Sequence, residues 1–239
     1  MRATVSRIVD PFLAEVDQAL GSGYSAVLYG SAARDDFIPG RSNINLMLVL
    51  DQIDPQILRS LGRAFTGWRK GSRERPLVLS RTEWERASDA FPIEITDMRL
   101  SYQVLRGPDP VQGIQVDRTD LRKALEREFR GKLLRLRQGY ATYAPDPKAL
   151  GTLALQSAAT ILVLLRGALT LIGKSVPSDS SQLATAAASA IGFEAEPVLH
   201  VVRHRAEREW RCGAPEFELY MGAVEQAARF LDQLQLGDQ

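Results

Sequence analysis

Two short apolar runs, Tyr24–Tyr29 and Ile44–Leu50, most strongly constrain what the first half of this chain can fold into. Each has the length of a strand, and a nearly continuous apolar run of that length is typical of a strand covered on both faces. An amphipathic spacing over Thr4–Leu20 predicts a helix before them, and the cap-proline pair Asp54-Pro55 predicts a helix after them. We therefore predict an α/β (α+β) domain with a mixed sheet.

The alternation of helices and strands continues to about residue 110. The helix after Asp54 is predicted to run to about Trp68, and further strands are predicted at Leu77–Leu79 and Phe91–Met98. Thr82 with Glu85 three residues later has the spacing of a capping box and predicts a short helix between those two strands.

The pattern changes to helices alone after the turn-rich segment 107–110. Long amphipathic stretches with short connections are typical of an up-and-down bundle. We predict two domains, residues 1–112 and an all-α helical bundle over residues 113–239. The predicted bundle helices are Asp117–Tyr143, Asp146–Gly173, Ser181–Ile191, Glu196–Arg211 and Pro215–Leu236.

Composition bounds the classes of partner and compartment. With Lys+Arg 30 against Asp+Glu 29, the chain carries no strong nucleic-acid signal. A single cysteine, Cys212, excludes an intrachain disulfide and fits a reducing compartment. The most apolar run, Thr152–Gly173, is interrupted by Gln156 and Arg166, which favours a buried bundle helix over a membrane span. The expectation is a cytoplasmic protein without a membrane partner.

Two asparagines open the second strand, one residue apart. Side chains at i and i+2 lie on one face of a strand, so Asn43 and Asn45 should point together while Ile44 points into a core. Two carboxylates in that arrangement could bridge a pair of divalent cations for phosphoryl transfer. Amides bring no negative charge, and at an effective dielectric of about 20 each lost charge beside a cation removes several kcal/mol of Coulomb energy. We therefore expect no two-metal site and no resident cofactor.

The segment Gly30-Ser31-Ala32-Ala33-Arg34, followed by Pro39-Gly40 and the Asn-Ile-Asn strand opening, resembles the signature of the DNA polymerase β-like nucleotidyltransferase superfamily. An α/β domain followed by helices is similar to kanamycin nucleotidyltransferase-type proteins. In that family a Gly-Ser pair opens a helix beside the nucleotide phosphates. Two aspartates on the next strand, with a third carboxylate on a later strand, hold magnesium. The resemblance implies that Asn43 and Asn45 stand where those aspartates would be.

The resemblance also implies a set of site residues. Gly30, Ser31 and Arg34 are the expected ligands of a phosphate, because free backbone N–H groups at a helix start attract anions. Asn43 and Asn45 are expected to line the same cleft. The candidate for the third carboxylate is Glu94, with Asp97 as the second choice because it has the opposite strand parity.

These residues support more than one interpretation. Our first hypothesis is a catalytically degenerate, bacterial-type pseudoenzyme that binds a nucleotide or another phosphate-bearing ligand, as a binding or regulatory module and as a homodimer through its apolar bundle. The alternative is an active transferase that moves a nucleoside monophosphate from an NTP to an acceptor, with one Mg²⁺ held by Glu94, Asp97 or one of Asp35 and Asp36. A third hypothesis is an antitoxin-like role.

Purely structural roles also remain open for two of the predicted site elements. The two asparagines could instead cap the strand through side-chain to backbone bonds, and Arg34 could pair with Asp35 or Asp36. The sequence leaves open whether the amides at positions 43 and 45 are natural or an engineered replacement.

Overall fold

The computed structural model describes residues 3–34, 37–40, 42–69, 72 and 74–236. The chain divides into two compact units, Met1–Gln115 and Val116–Gln239. The first combines a sheet with helices, and the second is built from helices in the part of it that is described. The predicted fold class, an α/β domain followed by a helical domain, is confirmed.

The first unit carries a mixed sheet. Its elements are α1 (Ala3–Leu20), β1 (Tyr24–Tyr29), β2 (Asn45–Leu50), α2 (Pro55–Ser60), α3 (Gly62–Trp68), β3 (Leu77–Ser80), α4 (Arg81–Glu85), α5 (Pro92–Leu100) and β4 (Tyr102–Arg106). The strand order is β3-β2-β1-β4. Strand β1 is antiparallel to both β2 and β4, whereas β2 and β3 run parallel.

Strands β1 and β2 occupy the centre of the sheet. Their side chains are buried on both faces, as their apolar runs predict. Helix α1 packs one apolar stripe onto this pair and contributes Val9, Phe12 and Val16 to the core. Phe12 meets Trp68 of α3 edge to face, with ring centroids 4.9 Å apart. Each fully buried side chain of this kind contributes about 1.5–3 kcal/mol to stability relative to an exposed one.

The strand predicted at Phe91–Met98 is wrong, because the segment forms helix α5. Pro92 stands in the first turn of that helix, where its fixed φ is already helical. Six of the nine residues of α5 are buried, including the polar Thr96 and Asp97, so its sequence lacks the separate apolar and polar stripes of a surface helix. The strand that pairs with the other edge of β1 is β4, which follows α5 directly.

The capping box of α4 also lies two residues earlier than predicted. Ser80 caps the helix and accepts a hydrogen bond from the backbone N–H of Glu83, whose carboxylate accepts from the Ser80 N–H at 2.7 Å. Ser80 ends β3, so the strand leads directly into the helix. Thr82 and Glu85 lie within α4 instead.

The second unit is a helical bundle. Its described helices are α6 (Arg118–Tyr143), α7 (Pro147–Leu171), α8 (Ser180–Ile191), α9 (Ala195–His204) and α10 (Ala214–Gln233). Helix α7 is long and apolar enough to cross a membrane by length and composition alone. Thirteen of its residues are buried within this unit, including Arg166, as expected for the core helix of a bundle.

Candidate functional site

The turn after β1 requires glycine at position 30 for two separate reasons. Gly30 has a φ of +71°, in the left-handed region that L side chains rarely adopt. A Cβ there would also lie 2.8 Å from Nδ2 of Asn45. The antiparallel register pairs Asn45 with Tyr29, so the amide of Asn45 lies against the turn. The sheet therefore brings Gly30 and Asn45 together.

The expected helix start is a single 3₁₀ turn, Gly30–Ala32. The N–H of Ala33 donates to the Gly30 carbonyl at 3.0 Å. The N–H of Arg34 donates to the carbonyls of Gly30 and Ser31 at 3.2 and 3.3 Å. Asp35 and Asp36, which the active alternative includes, lie outside the described residues. The backbone of Arg34 thus closes the turn.

The side chain of Arg34 points into the protein. Its Nη1 lies 3.5 Å from both carboxylate oxygens of Asp97, and the two side chains are only 5% and 11% exposed. Ser101, directly after α5, donates its hydroxyl to the Ala33 carbonyl at 3.0 Å. A role for Arg34 in anion binding stays a prediction, and in the structure its charge faces a buried carboxylate.

The two asparagines differ in environment. Ile44 between them is buried, as predicted, while Asn43 is exposed and Asn45 is partly buried. The Asn43 amide donates to Oε1 of Glu74 at 3.2 Å. Asn45 begins β2 and lies beside Gly30, as described above.

Glu74 is the site residue that the sequence did not reveal. It lies in the polar segment before β3, and its carbonyl accepts a hydrogen bond from the indole N–H of Trp68 at 2.6 Å. The parallel register pairs Leu77 with Met47, so the residues that precede the two strands also lie side by side. The parallel pairing of β2 and β3 is the signal that would have placed Glu74 near Asn43.

Three carboxylates influence the hydroxyl of Tyr29, the last residue of β1. Burial, together with the negative charges of Glu94, Glu74 and Asp97, raises the pKa of Tyr29 to about 12. Glu94 and Asp97 both belong to α5, and Glu94 is exposed. The neighbourhood of the turn is therefore acidic on the side of β3 and α5.

The later strands supply none of this acidic charge. Strand β3 reads Leu-Val-Leu-Ser and β4 reads Tyr-Gln-Val-Leu-Arg, so neither carries a carboxylate. Glu94, the predicted third carboxylate, comes from a helix and not from a strand. Within the described ranges, no group of three or more His, Cys, Asp or Glu side chains is arranged to hold a metal ion.

We expect Gly30→Ala to destabilise the first unit by more than the backbone effect alone. A left-handed conformation costs an L residue about 1–2 kcal/mol, and the added methyl also has to displace the Asn45 amide. Gly40→Ala is the matched control, because Gly40 has a φ of +75° but no atom within 4 Å of its Cβ position. Denaturant unfolding of both variants measures the difference; equal losses would contradict the close contact.

Comparison with known proteins supports the fold. No protein-family model matches the chain, and no curated protein matches it in sequence. Among solved structures, the chain is similar to a spectinomycin adenyltransferase from Enterococcus faecialis, solved with ATP and spectinomycin. The TM-score is 0.56 at 12% sequence identity, and the match covers 94% of this chain and 99% of the other. At this identity the likeness establishes the fold, which is of the nucleotidyltransferase type.

Proposed function

We propose that this protein is a catalytically degenerate member of the nucleotidyltransferase fold, which binds a nucleotide or another phosphate-bearing ligand beside Gly30-Ser31 and does not transfer nucleotidyl groups. The observation that carries the proposal is that the amide of Asn45 lies against this turn and the amide of Asn43 is hydrogen-bonded to Glu74, at the two positions where the resemblance implies carboxylates. A two-metal mechanism stabilises the attacking and the leaving oxygen through cations that carboxylates hold. Magnesium dehydrates reluctantly and relies on such charged ligands.

The composition of strands β3 and β4 also supports a degenerate metal site. Neither β3 nor β4 provides the further carboxylate on which a metal site of this kind would depend. Glu94 is exposed on α5, and the carboxylate of Asp97 is paired with Arg34. The acidic charge near Tyr29 is therefore divided among a loop, an exposed helical position and an internal ion pair.

The hydrogen bond between Asn43 and Glu74 depends on the amide at position 43. The amide N–H of Asn43 is the donor, and an aspartate has no such donor to offer Glu74. At 3.2 Å, two carboxylates would repel each other by roughly 1 kcal/mol in water, and by more where solvent is excluded. The surroundings thus suit an amide at position 43.

A nucleotide is the ligand class to test first, because the similar solved structure was obtained with ATP. We propose that binding serves a regulatory or recognition role. Association as a homodimer and a cytoplasmic location stay predictions from the sequence.

Titration calorimetry with ATP, GTP, CTP and UTP tests the proposal, once with excess magnesium and once with chelator. We expect at least one nucleotide to bind, with affinities in the two conditions that agree within about threefold, or about 0.65 kcal/mol. Magnesium strengthening of about tenfold or more, or about 1.4 kcal/mol, would contradict a degenerate site. Failure of all four nucleotides to bind would contradict nucleotide recognition.

Asn43→Asp should destabilise the protein more than Asn43→Ala. Both variants lose the hydrogen bond to Glu74, but only the aspartate adds repulsion, at roughly 1 kcal/mol in low salt. Urea unfolding at low and high ionic strength measures the difference, which should shrink as salt screens the charges. Adding Glu74→Gln to Asn43→Asp should abolish the extra loss of stability that the aspartate causes. If that extra loss is unchanged, the repulsion does not come from Glu74.

The second candidate is a working transferase that uses one magnesium ion delivered with its nucleotide. The observation that favours it is the combined influence of Glu94, Glu74 and Asp97 on Tyr29, which places carboxylates near the turn. Of the ligands expected for this alternative, Glu94 is the exposed one among the described residues.

A sensitive assay for pyrophosphate release in the presence of magnesium tests this candidate. If the enzyme works in this way, turnover is slow, depends on magnesium and falls below detection in Glu94→Gln, because the single charged ligand is lost. Undetectable turnover in the unaltered protein excludes the candidate. Turnover that survives the substitution removes Glu94 from the mechanism.

A further inference from the structure

Helix α5 and the residue that follows it contact the backbone and side chains at the end of the Gly30–Ala32 turn, although they lie far from it in the sequence. Asp97 pairs with Arg34, and Ser101 donates a hydrogen bond to the Ala33 carbonyl. These contacts join residues 63 and 68 positions apart in the sequence. The turn therefore has tertiary anchors in addition to its own backbone bonds.

The ion pair between Arg34 and Asp97 is buried. The side chains of Arg34 and Asp97 are 5% and 11% exposed, and Nη1 is equidistant from the two carboxylate oxygens. Removal of one partner from a buried pair weakens the electrostatic stabilisation of the other in a poorly solvated place. The pair therefore resists displacement of either residue.

Each end of the pair is tied to a different part of the unit. At one end, Ile95 and Met98 flank Asp97 on α5 and are both 1% exposed, so the helix is fixed in apolar surroundings. At the other end, the backbone N–H of Arg34 closes the turn onto Gly30 and Ser31. The ion pair limits the positions of the Arg34 side chain and so restrains the residue whose backbone N–H closes the turn.

We infer that Asp97 is a positioning residue for the ligand site: through Arg34 it holds the Gly30-Ser31 turn in the shape that receives the phosphate, without touching the ligand. This inference rests on the function proposed above and assigns Asp97 a different role from that of a metal ligand. Ser101 assists by holding the Ala33 carbonyl.

Amide hydrogen exchange without ligand tests the positioning directly. In Asp97→Asn we expect the amides of Ala33 and Arg34 to exchange about tenfold faster or more, because the local opening of the turn becomes easier. Amides within the β1–β2 pairing, such as that of Val27, should change by less than about twofold. Uniform acceleration across the unit would show a merely structural role and overturn the inference, as would unchanged exchange in the turn.

Three further variants keep the test decisive if Asp97→Asn folds poorly. Ser101→Ala removes the milder anchor and should loosen the same two amides to a smaller extent. Asp97→Glu keeps the charge and should restore much of the protection that the amide variant loses. Asp51→Asn is the matched control, because it breaks an exposed ion pair with Arg81 beyond the far end of β2 with the same change of charge.

ATP titration of the same variants separates the two proposals. We expect Asp97→Asn to weaken ATP binding by about tenfold, or about 1.4 kcal/mol, and Asp51→Asn to leave it unchanged. Selective loosening of the turn with unchanged ATP affinity overturns the role in ligand positioning. If the unaltered protein does not bind ATP, nucleotide recognition fails, and the exchange data alone decide whether Asp97 holds the turn.

Discussion

The antiparallel pairing of β1 with β2 is the constraint on which the rest of the first unit depends. Its register sets Asn45 opposite Tyr29, and Gly30 follows immediately, so the turn and the strand opening meet at one end of the sheet. Both strands are buried on both faces, so a slip by one residue would force every side chain to repack against the opposite face. The most buried part of the unit therefore sets the positions of Gly30 and Asn45 in the candidate site.

The parts of the fold that are encoded locally could be predicted from the sequence. The bounds of β1 follow from one apolar run and its flanking glycines, and the cap of α2 follows from Asp54-Pro55. Helix α5 could not be recognised, because its buried residues include the polar Thr96 and Asp97 and its sequence therefore lacks the two stripes of a surface helix. Periodicity does not identify a helix whose polar residues are buried.

The candidate site also contains contacts that could be predicted from the sequence and contacts that could not. The resemblance implied that Gly30 and Asn45 line one cleft, and in the structure the two residues lie in contact range. Glu74 and the pairing of Arg34 with Asp97 depend on which strands lie side by side and on where α5 packs. No spacing in the sequence carries that information, since these partners are separated by 31 and 63 residues.

The hydrogen bond between Asn43 and Glu74 makes the effect of charge at position 43 depend on the residue at position 74. An aspartate at position 43 would face the Glu74 carboxylate without a donor to offer it, whereas a neutral residue at position 74 would relieve that repulsion. The effect of a substitution at either position therefore depends on the residue at the other, and the two substitutions should not be additive.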